Sequence, residues 1–485
     1  MINMRSRLGW FSWHIAGLAL GLLTASASGQ FKHYDPVKAQ ETVANAERLG
    51  LELRTRAEWA QDYHELLDRA EYGSGQDNRW PEVYAFAESV STLVRAGAEI
   101  GLSADGSEIT EDWYEARDVG IDLLRASLEN PAELTELERE VAQRLWVLLD
   151  RDVDYDLDWA EYMRGPENSE FGMKLFKGFW SFRYANLVLT CLSERAVAQG
   201  EHEKLLRALN AMLVLDRALC TMPDSSSYLI GQECRSSVQR VVHGLLLDPA
   251  TDQDMVEELE QLLRAWPMAD LRLVFEYERL VTRAELDSRF FYAVAKEPSR
   301  AGLDAYVSDG QLKHAHQANG IDELYQMRID AVSMSPYDAI KTYKASQEMA
   351  EAEEVMHPTR VEYLSSEFHF YQGKHALSTR RAGLFTLVAL RRYHAEHGSW
   401  PDTLGALTEK HIAELPLDPY SGEPLVYEVI AADSDDPSEA FRLYSTAVHG
   451  FEKSDGSGLI HRYLKILGCG KTERDLTFAA PLATD

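Results

Sequence analysis

The sequence predicts a mainly α-helical protein, an array of helical hairpins followed by a small α+β module at its C-terminal end. From about Asp35 to His375, apolar residues recur at helical spacing and prolines separate the periodic segments. Strand-type alternation is nearly absent from that stretch. After Gly398, turn dipeptides separate two short segments rich in β-forming residues, which favours a two-stranded unit packed on the preceding helix.

Composition limits the classes of partner. Of the 485 residues, 45% are hydrophobic, which is enough for an ordinary core and argues against disorder. Lys and Arg number 49 against 79 Asp and Glu, a formal net charge of −30. Such a surface repels phosphate backbones and anionic lipid headgroups, so we predict no nucleic-acid partner.

Residues 1–27 have the features of a secretory signal peptide. Arg5 and Arg7 form a basic start, Leu8–Leu23 is an apolar run, and Ala25-Ser26-Ala27 matches a cleavage site. We predict cleavage and export; the alternative is an uncleaved N-terminal anchor, the one segment expected to contact a membrane. The protein is therefore expected in the periplasm, outside the cell, or anchored to a membrane and facing outward.

The clearest helical hairpin lies near the middle of the chain. Leu187–Gln199 and Glu203–Leu219 are predicted as helices joined by a tight turn at Gly200, and the small residues Ala196 and Ala208 allow close approach. This pair loosely resembles a tetratricopeptide hairpin, but no second copy follows at about 34 residues. We predict an array without a strict repeat; such stacks commonly bind partners, and simple core packing is the alternative.

Breaks in the pattern suggest the domain organisation. Arg164–Ser169 interrupts the helical region, and Thr251 with Asp254 predicts a capping box for a helix that ends at Ala265. The predicted regions are a signal peptide or anchor at 1–27, a helical region at 31–165, a helical-hairpin region at 166–379 and the α+β module at 380–470.

One acidic segment has the spacing of a calcium-binding loop. The acids that fall at loop positions one, three, five, seven, nine and twelve are Asp150, Asp152, Asp154, Asp156, Asp158 and Glu161. Position six, normally Gly because it needs positive φ, is Tyr155. The sequence therefore favours an acidic edge whose apolar residues (Val153, Tyr155, Leu157 and Trp159) pack inward. The alternatives are a calcium loop or a looser divalent-cation site at these six acids, and no other cofactor is predicted.

Other chemistry has little support in the sequence. Hydrolase elbows, zinc-protease helices and phosphate-binding loops are absent as motifs. His394 and His397 have the spacing to share a metal, but the sequence identifies no third ligand, and solvated histidines at a helix end are the simpler interpretation. No Cys-x-x-Cys occurs, and the pairing of the four cysteines (Cys191, Cys220, Cys234 and Cys469) stays open.

The C-terminal module carries a recognisable pattern. Its first part is Leu390-x-x-Tyr393-x-x-x-His397-Gly398-x-Trp400-Pro401, followed by Leu404-x-x-Leu407. Its second part is Leu415-Pro416-x-Asp418-Pro419-Tyr420-x-Gly422-x-Pro424-Leu425-x-Tyr427, followed by Leu443-Tyr444-Ser445. The pattern resembles the periplasmic part of type II secretion pseudopilins, especially the major pseudopilin.

This resemblance implies an extracytoplasmic α+β head without catalytic activity. Pseudopilins often bind calcium in a terminal loop, where this chain offers Glu452 and Asp455. The chain has no prepilin motif, and a long helical region precedes the module, so a pilus subunit is not predicted. We expect a non-catalytic structural or protein-interaction component of the bacterial cell envelope whose partners are other envelope proteins. The alternative is an exported hydrolase with carboxylate or metal-dependent catalysis in the helical region.

Overall fold

The computed structural model confirms a mainly helical protein. It describes residues 53–445 and 476–479, apart from gaps at 76, 104–112, 154–156, 158–161, 165–174, 267–268, 297–299, 353–357 and 433, together with a few residues between 40 and 47. The predicted signal peptide at 1–27 and the acids Glu452 and Asp455 lie outside the described residues. In the part of the chain that is described, no helix combines the length and apolarity needed to cross a membrane.

The chain forms two compact units that are discontinuous in sequence. Within the described residues, unit 1 draws on residues 53–69 and Leu271–Tyr371, and unit 2 on residues 70–164, 175–270, 372–445 and 476–479. The regions predicted from the sequence are consecutive, since local patterns do not reveal which distant segments pack together.

Unit 1 contains α1 (Arg56–Ala70, except its last residue), α9 (Leu271–Lys296), α10 (Arg300–Ala331), α11 (Pro336–Ala352) and the start of α12 (Pro358–His397). Buried aromatic rings dominate its interior, and Phe275 stacks on Tyr371 with ring centroids 5.3 Å apart. Arg328 is fully buried, with its guanidinium 4.9 Å from the Tyr343 ring centroid. Tyr371 donates a hydrogen bond of 2.5 Å to the Arg328 carbonyl.

Unit 2 contains most of the helical hairpins and the C-terminal module. Its helices are α2 (Trp80–Ser103), α3 (Trp113–Glu129), α4 (Glu136–Asp152), α5 (Leu175–Gln199), α6 (His202–Cys220), α7 (Ser225–Leu247), α8 (Gln253–Ala265) and the rest of α12. The core is continuous through these helices and the module, because buried residues of α2 to α8 contact those of α12 and of the segments that follow it.

The predicted hairpin is formed by α5 and α6. Gly200 adopts φ of +68°, a left-handed conformation that favours glycine, and the Glu201 N–H caps the carbonyl of Ala196 at 2.9 Å. Ala196 and Ala208 are both 3% exposed, consistent with close packing of the two helices.

The start of α8 differs from the predicted capping box at Thr251. The N-cap is Asp252, whose carboxylate accepts the Met255 N–H at 2.9 Å. Both residues are competent caps, and the sequence pattern alone did not distinguish two adjacent positions. The helix ends at Ala265, as predicted.

A charged pair lies fully buried between α6 and α7. Asp216 accepts two hydrogen bonds of 2.8 Å from Arg235, one to each carboxylate oxygen, and a third of 2.8 Å from the Trp266 indole N–H. Arg235 also donates to the Cys220 sulfur at 3.2 Å. Every strong acceptor and donor at the centre of the pair therefore has a partner.

The charge state of this pair follows from its geometry. Burial raises the pKa of the Asp216 carboxyl against the opposing charge of Arg235. Burial alone would lower the pKa of Arg235, but Asp216 holds that pKa above its ordinary value. The two-pronged contact and the Trp266 N–H require both carboxylate oxygens to accept, so the pair is ionised.

Three short antiparallel strands complete unit 2. The strands β1 (Val426–Val429), β2 (Phe441–Ser445) and β3 (Leu476–Ala479) are in the order β1-β2-β3. Val429 pairs with Phe441 and Val426 with Tyr444, while the β2–β3 register shifts at Leu443 and Tyr444. A 3-10 helix (Leu404–Glu409) precedes β1, and the one-turn α13 (Pro437–Ala440) lies between β1 and β2.

Cysteine pairing is absent among the described residues. Cys191, Cys220 and Cys234 are free thiols, and Cys469 lies outside the described residues. Cys191 and Cys234 are fully buried, as expected for cysteines that act as small apolar residues.

The buried pair predicts unequal effects at two glycines of α7. A Cβ on Gly231 would lie 2.8 Å from Asp216 Oδ1, whereas a Cβ on Gly244 would meet nothing within 4 Å. We expect Gly231→Ala to lower the free energy of unfolding by about 1–3 kcal/mol because it displaces the pair. Gly244→Ala should raise it by about 0.5–1 kcal/mol because alanine favours helix. Urea unfolding measures both; equal effects would contradict this account.

Candidate functional site

The acidic segment after α4 is only partly described. Helix α4 continues to Asp152, so Asp150 and Asp152 belong to its last turn. Two residues apart on a helix, their carboxylates lie on nearly opposite faces. Asp150 accepts a hydrogen bond from Arg195 at 3.1 Å, and Asp152 pairs with neighbouring Arg151 at 2.6 Å.

The rest of the predicted calcium ligands, Asp154, Asp156, Asp158 and Glu161, lie outside the described residues. Val153 and Leu157 are each 8% exposed, which agrees with the inward-packing face that the sequence favoured. The calcium site at this segment stays a prediction.

Asp418 is the polar centre of the C-terminal module. Its side chain is buried and accepts hydrogen bonds from Thr379 Oγ1 of α12 at 3.2 Å and from Ser445 Oγ of β2 at 2.6 Å. It also accepts the backbone N–H of Tyr420 at 3.1 Å, which closes the predicted Asp-Pro turn. One carboxylate therefore joins a helix, a turn and a strand, which is a structural task.

Trp400 attaches the hairpin to the end of α12. Its indole N–H donates to the Ser434 carbonyl at 2.7 Å, and its ring meets Phe441 edge-on at 4.9 Å between centroids. Gly398 adopts φ of +72°, a left-handed conformation that favours glycine just after the end of a helix. Tyr427 donates to the Pro401 carbonyl at 2.9 Å and closes the same corner.

The last turn of α12 and the end of the 3-10 helix bring two histidines and a carboxylate together. The group consists of Glu396, His397 and His411, and each residue offers one ligand atom within 4.8 Å of the other two. No other group of three such residues is found among the described residues. His411 Nε2 lies 3.5 Å from Glu396 Oε2. Tyr393 supports both imidazoles: His397 stacks on it at 4.0 Å and His411 meets it edge-on at 5.6 Å.

The protonation states in this cluster suit binding to a cation. A hydrogen bond from Lys410, with its nearby charge, holds the pKa of Glu396 below its usual range, so this carboxylate is ionised. Burial lowers the pKa of His411, so its imidazole is neutral at neutral pH.

His394, which the sequence paired with His397, has a different role. Its ring stacks on Trp400 at 4.3 Å, and its Nε2 lies 3.7 Å from Asp435. The histidine that lies close to His397 is instead His411, fourteen residues further along the chain. Sequence spacing gave no indication of it, because the fold of the intervening segment brings His411 back to α12.

A second group of titratable residues lies on α3. Burial raises the pKa of Asp122 to about 6, and the nearby charge of Asp118 acts in the same direction. Asp118, one helical turn earlier, accepts a hydrogen bond from the Tyr184 hydroxyl at 3.0 Å. One carboxyl is thus biased toward its acid form beside an ionisable neighbour.

Comparisons with known proteins add no relative. No protein-family model matches the chain, and neither a curated protein nor a solved structure matches it. The functional argument therefore depends on the residues and their geometry.

His375 of α12 should make the protein sensitive to acid. Burial lowers the pKa of His375 from 6.5 to about 4, with a smaller effect from Lys374. The unfolded chain takes up this proton first, so stability is present above pH 6.5 and is lost as pH falls towards 4. The loss is about 3 kcal/mol at most.

We expect His375→Phe, which keeps a ring beside Tyr420, to remove this part of the pH dependence of unfolding. His202→Gln, at the exposed start of α6, should leave it unchanged. Urea unfolding at several pH values measures both variants. An unchanged acid slope in His375→Phe would refute the assignment.

Proposed function

We propose that the chain is an exported, non-catalytic structural or protein-interaction component of the bacterial cell envelope. Its C-terminal module, which resembles a pseudopilin head, presents the interaction surface to other envelope proteins. The observation that carries the proposal is that this module is tied internally to the helices of unit 2 but exposes apolar residues outside.

The internal attachment uses polar contacts along α12. Arg392 forms an ion pair with the buried Glu260 of α8, and Arg391 donates to the Thr251 carbonyl. The Asp418 contacts then join α12 to the turn and to β2. Polar groups satisfied in this way hold a fold together and leave little capacity for binding substrate.

The outer side of the module offers apolar surface and a strand edge. Leu417 and Ile430 are 57% and 49% exposed, and few large apolar residues of the described chain are as exposed. Among the described strands β1 lies at an edge of the sheet, and edge strands present backbone groups to another chain. Exposed apolar residues beside such an edge are typical of protein interaction sites.

The exported location rests on the sequence of residues 1–27. Export agrees with the acidic surface, which disfavours cytoplasmic nucleic-acid partners. The pseudopilin resemblance supports the same location, and the order of a long helix, a Trp400-Pro401 turn and antiparallel strands supports the resemblance.

A photo-crosslinking experiment tests this proposal. We expect a photoreactive residue at Leu417 or Ile430 to give a discrete crosslinked envelope protein in intact cells. The same probe at Val147, which is 56% exposed on α4, is the matched control and should not give that product. N-terminal sequencing of the same material should begin after Ala27 if the segment is cleaved. Crosslinks equal at all three positions, or an unexported chain, would contradict the proposal.

The raised pKa of Asp122 is the one observation that favours the alternative, an exported hydrolase. A carboxyl whose pKa is raised to about 6 beside a second carboxyl fits general acid–base catalysis. If the chain hydrolyses a glycoside or ester panel, Asp122→Asn should lower the rate about 100-fold or more, and Asp150→Asn should not. Equal rates in both variants would reject Asp122 as a catalytic acid.

A further inference from the structure

We propose that Glu396, His397 and His411 form a binding site for a transition-metal ion of the Zn²⁺ class. The site joins the end of α12 to the segment after the 3-10 helix. This inference does not depend on export or on the envelope function.

The ligand atoms are already near coordinating distances. Zn²⁺ binds imidazole nitrogen and carboxylate oxygen at about 2.0–2.2 Å, which places tetrahedral ligands roughly 3.3–3.5 Å apart. The distance of 3.5 Å between His411 Nε2 and Glu396 Oε2 matches this separation. The three ligand atoms all lie within 4.8 Å of one another, so small rotations of the exposed Glu396 and His397 side chains complete the geometry.

The hydrogen bonds of His397 leave the correct nitrogen available. His397 Nδ1 lies 2.9 Å from the Tyr393 carbonyl oxygen, so Nδ1 carries the proton and donates it there. Nε2 then keeps its lone pair for a metal. Metal-bound histidines commonly have this arrangement, in which a backbone carbonyl fixes the tautomer and ring orientation.

The Glu396 carboxylate divides its two oxygens between two partners. Lys410 contacts Oε1 through an ion pair, while Oε2 faces His411. Lys410 therefore orients the carboxylate and leaves Oε2 as a single ligand atom. The His411 side chain is 7% exposed and that of Glu396 is 40% exposed, so one side of the site is open to a water ligand.

The donor set selects the class of metal. Two imidazoles and one carboxylate suit Zn²⁺, and by the usual order of affinities also Ni²⁺ and Cu²⁺. Calcium and magnesium prefer oxygen ligands alone and are not expected here. Catalytic zinc sites have three protein ligands and one open position. Because the ligands come from two segments of the chain, a bound metal would also hold these two segments together.

The test is calorimetric titration of Zn²⁺ into the full-length, untagged, chelator-treated chain at neutral pH. We expect a saturable site that His397→Gln or His411→Gln weakens at least tenfold. His394→Gln, three residues away on the same helix, is the matched control and should leave the affinity unchanged. Ca²⁺ should give no heat at the same site.

A second measurement separates metal binding from folding. His397 is exposed, so in chelator we expect the His397→Gln variant to have the same unfolding temperature as the unsubstituted chain. Zn²⁺ should raise the unfolding temperature of the unsubstituted chain but not that of the variant. The proposal is overturned if Zn²⁺ does not bind, or if binding survives in both His397→Gln and His411→Gln.

Discussion

The arrangement of unit 2 depends on the buried pair of Asp216 and Arg235. An ionised side chain inside a protein costs several kcal/mol unless its partner and hydrogen bonds are in place. Asp216 meets this requirement with two bonds from Arg235 and one from Trp266, all at 2.8 Å. Because these groups come from α6, α7 and the residue after α8, the pair is satisfied only when all three elements have their native positions.

The C-terminal half of α12 is placed by further contacts to the same helices. Gln239 of α7 donates to the Leu377 carbonyl at 3.1 Å, and Arg381 donates to the Leu263 carbonyl at 3.1 Å. Gly373 allows the close approach, because a Cβ there would collide with the Gln232 amide. The helix that carries Glu396 and His397 is therefore fixed by the helices that surround the charged pair.

Local patterns in the sequence predicted the parts of this fold that depend on local interactions. The α5–α6 turn at Gly200, the helix end at Gly398 and the end of α8 follow from helical periodicity and from glycine conformation. The choice between Thr251 and Asp252 as cap did not, because both residue types suit that position.

What the sequence did not predict are contacts between residues far apart along the chain. Asp418 looked like a turn residue, and its bonds to Thr379 and Ser445 span 39 and 27 positions. His411 had no local pattern to connect it with His397. Asp150 and Asp152, two of the six acids with calcium-loop spacing, lie in the last turn of α4 and pair with arginines, which the spacing of the acids does not reveal.

Asp418 and the Glu396–His397 pair differ in their remaining capacity to bind a ligand. Asp418 is buried, and its oxygens accept bonds from a helix, a turn and a strand, so a ligand there would have to displace native structure. His397 and Glu396 are exposed, and their neighbours orient them without using the His397 Nε2 lone pair. A protein interior stabilises by satisfying its polar groups, whereas binding needs oriented groups that are still unsatisfied. By that criterion the capacity for new chemistry lies at the end of α12, at Glu396 and His397, and not at Asp418.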